Sequence, residues 1–170
     1  MAELVTPAWM VEAAAHQGVR EIPGAPTAPK ISKWLADLKA WWTDDETPWC
    51  GVFVAHCMQS VGVPLPKAWY RAKAWLGWGV PLAGPVPGCV VVFDRDGGGH
   101  VGLVVGKAAE TSCLLVLGGN QGDTVKVSAF EPRRAVGFRW PSPGAGIPPA
   151  PPAGPLPVIR GPYAVSRNEA

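Results

Sequence analysis

The sequence has little charge, few histidines and no closely spaced cysteine pair. Charged residues make up 16% of the chain and the net charge is only +2, too little to suggest a nucleic-acid partner. Cys50, Cys57, Cys89 and Cys113 include no C-x-x-C pair, which argues against a zinc ribbon. Cys50 and Cys57 stand two helical turns apart, ~10 Å along an axis, too far for a disulfide if one helix carries both. Cys57, Cys89 and Cys113 lie in apolar runs and read as reduced core residues. No apolar run approaches the ~20 residues of a membrane-spanning helix. Residues 1–10 lack the basic start and sustained apolar core of a secretory signal. The expectation is a chain made in the cytoplasm, without a membrane span, monomeric, and dependent on another factor for any export.

What the sequence does have is 170 residues, 48% of them hydrophobic, and nine tryptophans, enough for one globular domain with a sizeable core. Thr6-Pro7 predicts a helix opening and Gly18 its stop. Proline and glycine mark residues 20–29 as a loop. Ile31, Trp34, Leu35, Leu38, Trp41 and Trp42 form a wide apolar stripe that predicts a second helix over 30–41. A third, apolar nearly all round, begins near Cys50 and ends around Gly62, and residues 67–78 read as a fourth, amphipathic one. From Gly79 the period shortens. Runs beginning at Cys89, Val101, Cys113, Val125 and Val136 are β-rich and joined by short turns, which predicts an antiparallel meander. Helices first and strands afterwards is an α+β order, with about five strands. The domain is set at residues 1–140, and the Pro/Gly/Ala-rich residues 141–170, with their polar end from Ser166 on, as an extended tail or linker.

Chemistry concentrates around Cys50. Asp45-Glu46-Thr47-Pro48 runs straight into the apolar helix, so the thiol sits at a helix N-terminus, where free N–H groups and the helix dipole favour thiolate. A buried small apolar side chain is the other reading of that position. A thiolate nucleophile needs a base, and there are three histidines. His16 lies late in the first helix, as a surface or capping residue. His56, six residues past Cys50, points about 240° around the helix from the thiol. His100 opens a strand after three glycines, which lets another element approach its ring. Asn120 and Gln121 end the strand expected beside it. An amide or carboxylate there can accept the imidazole N–H and fix its tautomer, although Asn120 before Gly122 also fits an ordinary turn.

Thr47-Pro-Trp-Cys-Gly-Val-Phe-Val, Pro87-Gly-Cys-Val-Val-Val-Phe, Gly99-His-Val-Gly-Leu-Val-Val-Gly, Leu117-Gly-Gly-Asn-Gln-Gly-Asp and Gly137-Phe-Arg-Trp-Pro together resemble the CHAP-related, NlpC/P60-like cysteine peptidases of phage lysis modules and bacterial wall-processing proteins. The resemblance covers residues 5 to 141. It implies a papain-like fold and cleavage of amide bonds in peptidoglycan, by an endolysin-type amidase or stem-peptide endopeptidase. It also implies Cys50 as nucleophile, His100 as base and Asn120 as the orienting residue. Trp49, Trp69, Trp78 and Gln121 are the expected substrate contacts. Asp44-Asp45-Glu46 lacks the spacing of the family's calcium loop, so no metal or other cofactor is expected. The papain-like glutamine of the oxyanion hole falls at Asp44, leaving Thr47 and Gln121 as candidate second donors beside the Cys50 N–H. The other readings are a non-catalytic wall-binding or phage structural module, and a papain-like toxin or deamidase acting on another amide.

Overall fold

Apolar spacing divides the first third of the chain into helices, and the computed structural model shows where each stops. It describes residues 5–24 and 26–167; residues 1–4 of the N-terminal stretch, residue 25 of the first loop and residues 168–170 of the polar end lie outside the described residues. Helix α1 spans Ala8–Ala15 and is capped by Pro7, with no side-chain hydrogen bond from Thr6, so the predicted hydroxyl cap does not form. Helix α2 spans Pro29–Asp37. It ends four residues before the predicted limit because Lys39 turns the backbone left-handed (φ 56°), which leaves Trp41 and Trp42 outside it. Helix α3 spans Cys50–Ser60, with Gly62 at φ 78° beyond its end.

The predicted helix over 67–78 shrinks to a 3-10 segment, Ala72–Gly77. An indole N–H competes for a carbonyl that an α-helix would need: Trp75 Nε1 donates to Trp69 O (3.0 Å), while Trp78 Nε1 reaches back to Pro64 O (2.7 Å), before the predicted span. Burial of the two rings overrides the local helical pattern.

The remainder is a seven-stranded sheet: β1 (Val80–Leu82), β2 (Val90–Arg95), β3 (Gly98–Ala108), β4 (Leu114–Gly118), β5 (Lys126–Phe130), β6 (Ala135–Trp140) and β7 (Val158–Ile159). Strands β2 to β5 form the antiparallel meander, β6 returns to pair with β2, and β1 pairs with β6. The fold is α+β, as the order of periods predicts. Five strands are legible as β-rich runs; β1 and β7 are too short to show a period.

Helix α3 packs on β3 and β4, with α1 and α2 against it. Val52, Phe53, Val54, Cys57 and Met58 are wholly buried, each apolar side chain contributing roughly 1.5–3 kcal/mol. The 3-10 segment covers β2, β3 and β6. Residues after Trp140 run back over the sheet. Strand β7 pairs in parallel with Lys107 and Ala108, beyond the point where β2 leaves β3, and Ile159 and Tyr163 pack on a second core of Ala108, Cys113, Leu115 and Ala129. Among the described residues no helix is long and apolar enough to cross a membrane.

Candidate active site

Cys50 is the first residue of α3, and no side chain caps that helix end. The approach is fixed by an acidic segment. Asp45, 1% exposed, accepts the backbone N–H groups of Ile22 (3.1 Å) and Ala28 (2.8 Å), pinning the first loop beside the helix. Gly51 then lets the chain come close: a Cβ there would stand 2.7 Å from Trp69 O and 2.8 Å from Tyr70 O. The helix end, the thiol and the Trp69-Tyr70 segment are therefore packed together.

Strand β3 delivers His100, 1% exposed, to the same place, and it hydrogen-bonds the Cys50 thiol. Its ring stacks on Phe130 (5.4 Å, 14°) and Phe93 (6.2 Å, 22°), which fixes the imidazole plane. Its Nε2 is 2.9 Å from Gln121 Oε1. Gln121, also 1% exposed, donates both amide hydrogens elsewhere, to Val116 O (3.1 Å) and Lys126 O (2.7 Å). Its oxygen must then face the imidazole as an acceptor. The ring proton sits on Nε2, and Nδ1 is the nitrogen left for sulfur.

The electrostatics follow from this arrangement. Burial pushes the Cys50 thiol up, but the hydrogen bond from His100, the imidazolium charge and the backbone N–H groups of Val101 and Gly51 outweigh it, and the thiol lies below its ordinary value. Burial acts without such partners on Cys89, pushed up to about 12, and on Cys57, held well above the usual thiol range. All four cysteines are buried and unbridged.

The other expected site residues are distributed differently. Gln121 was expected at the substrate and instead holds the imidazole. Asn120 is 4% exposed at the corner after β4, with a left-handed backbone (φ 56°) that breaks the strand's alternation. Trp49 is 1% exposed and donates Nε1 to Glu21 Oε2 (2.9 Å), so it belongs to the core. Trp78 is also buried and lines a cavity of about 350 Å³ with residues 62–65, residues 142–145 and Ile147, beyond the end of α3 remote from Cys50. Trp69 is partly buried beside α3, stacked on Trp42 (5.8 Å, 26°). Sequence reasoning missed Trp41, which is 73% exposed and meets Tyr70 edge-on at 4.7 Å; its helical spacing with Trp34 and Leu38 disguised it as core. Of the two candidate oxyanion donors, Gln121 is committed as described. The Thr47 hydroxyl and N–H both go to Asp44 Oδ1, at 2.8 and 2.7 Å.

No curated protein matches the chain. Residues 42–120, from the approach to α3 through Asn120, match the family model described as the CHAP domain, a match consistent with the CHAP-related cysteine peptidases.

Proposed function

We propose that Cys50, His100 and Gln121 form the catalytic centre of a peptidoglycan amidase or endopeptidase. CHAP domains are generally cysteine- and histidine-dependent hydrolases, and the match suggests peptidoglycan as substrate. The observation that carries the reading is a thiol at a helix N-terminus, hydrogen-bonded to an imidazole whose other nitrogen is held by a fully committed amide. The orienting role expected of Asn120 falls to Gln121.

In this mechanism the Cys50 thiolate attacks the scissile carbonyl carbon, and the Cys50 N–H at the uncapped start of α3 stabilises the oxyanion. The C–N bond breaks as the His100 imidazolium gives its proton to the departing amine, leaving a thioester on Cys50. Neutral His100 then takes a proton from water, hydroxide attacks the thioester, the C–S bond breaks, and a carboxylic acid product leaves and gives its proton to solvent, with the thiolate and imidazolium restored. Trp41, Trp69 and Tyr70, gathered beside Gly51, are the substrate platform, offering ring faces to sugar or peptide.

Clearing of a suspension of purified bacterial walls tests this. The unsubstituted chain should clear it, and Cys50→Ala, folded by circular dichroism, should not. Equal clearing by the two would remove Cys50 from the chemistry.

A further inference from the structure

Away from Cys50, three metal-ligating side chains converge between α1 and α3. Glu12 lies on α1, His16 follows one turn later at its C-terminal cap, and His56 faces them from α3. His16 Nε2 lies 2.8 Å from Glu12 Oε1, His56 Nε2 lies 3.0 Å from the same oxygen, and the two Nε2 atoms are 3.2 Å apart. Hydrogen bonds satisfy this triangle only by crowding two donors onto one oxygen. A ring nitrogen either donates or accepts, and an ionised carboxylate only accepts. If both imidazoles donate to Glu12, their N–H groups converge on one oxygen from nitrogens only 3.2 Å apart; if one does not, its lone pair faces the carboxylate oxygen.

A cation at the centre removes the conflict on all three edges. Ligand atoms around tetrahedral zinc, at about 2.0–2.1 Å from the metal, stand ~3.4 Å from one another, so these need to part by only a few tenths of an ångström. The rings are already held. Trp34, 1% exposed, stacks on His56 (5.1 Å, 22°) and meets His16 edge-on (5.1 Å, 76°). The side chains of His16 and His56 are 11% and 13% exposed and that of Glu12 is 33% exposed, so an ion can enter past the carboxylate and keep a water as fourth ligand.

We propose that Glu12, His16 and His56 bind one divalent transition-metal ion, which clamps α1 to the helix that carries Cys50. Two imidazoles and one carboxylate suit zinc, cobalt, nickel or copper rather than calcium or magnesium. The ion is structural and takes no step in hydrolysis, so it also qualifies the expectation that the chain needs no metal.

The test is metal uptake by the full chain after chelator treatment and dialysis, titrated with ZnCl₂ by calorimetry and with Co²⁺ by absorption. One equivalent should bind each chain and raise Tm, and the Co²⁺ form should show four-coordinate visible bands without sulfur-to-metal charge transfer. Cys50→Ser should bind that equivalent unchanged. Glu12→Gln, which keeps an acceptor oxygen for the imidazoles, should lose it together with the Tm shift, as should His56→Ala. No uptake, uptake undiminished in Glu12→Gln, or uptake lost in Cys50→Ser, which would put the ion on the Cys50–His100 pair, would each overturn the site.

Discussion

At the scale of single residues, what distinguishes Cys50 from the other thiols is its partners. His100 and two backbone N–H groups lower its pKa, whereas burial raises those of Cys57 and Cys89. Because the folded value is depressed, the thiolate persists at pH values below the ordinary thiol range. Iodoacetamide at neutral pH is therefore expected to label Cys50 selectively, as read by peptide mass spectrometry. His100→Ala leaves burial opposed only by the backbone N–H groups of Val101 and Gly51, so the labelling rate should fall and its midpoint should move to higher pH. Gln121→Ala frees the imidazole to rotate or change tautomer, and kcat for wall hydrolysis should drop by about 10²- to 10⁴-fold, the range typical of general acid–base catalysis. Gly118→Ala should do similar damage, since its Cβ would press into Gln121 Oε1. The order cysteine, histidine, amide was legible in the sequence because a helix start, a strand start and a strand end are each marked by their neighbours. Which amide reaches the ring was not. Strand alternation assigns sides only while the backbone stays extended, and Asn120 leaves that region.

At the scale of elements, α3 is held where it is by close backbone approaches. Gly51→Ala would press a methyl group against two carbonyls that cannot swing aside, and a loss of about 1–3 kcal/mol is expected in denaturant unfolding. Asp45→Ala would strand the N–H groups of Ile22 and Ala28, costing about 1–3 kcal/mol for each one that water cannot reach. Helix α3 and five strands were readable because their periods run uninterrupted through long apolar segments. The 3-10 segment was misread because tertiary burial turns Trp75 onto the Trp69 carbonyl and Trp78 back onto that of Pro64. The meeting of His16 with His56 depends on the crossing of α1 and α3, which neither helix's own pattern encodes.

At the scale of the whole molecule, the proposed catalytic side chains come from a helix, a strand and the corner after the next strand, and the sheet keeps them in register. Residues 141–167 contribute from outside the matched region. Ile159 and Tyr163 cover Leu115 and Ala129, and Ser166 N–H bonds Ala129 O at 2.8 Å. Truncation after Trp140 should expose that apolar patch and lower Tm, while the products released from walls stay the same. Proline-rich composition predicts an extended path for this segment but carries no signal of where it lies. The most direct test of the central claim is mass spectrometry of purified peptidoglycan digested in ¹⁸O-labelled water. Hydrolysis through Cys50 should release soluble fragments with a new amine and a carboxylate carrying ¹⁸O, and none with Cys50→Ala. Fragments without the label, or the same fragments from the Cys50→Ala chain, would contradict it.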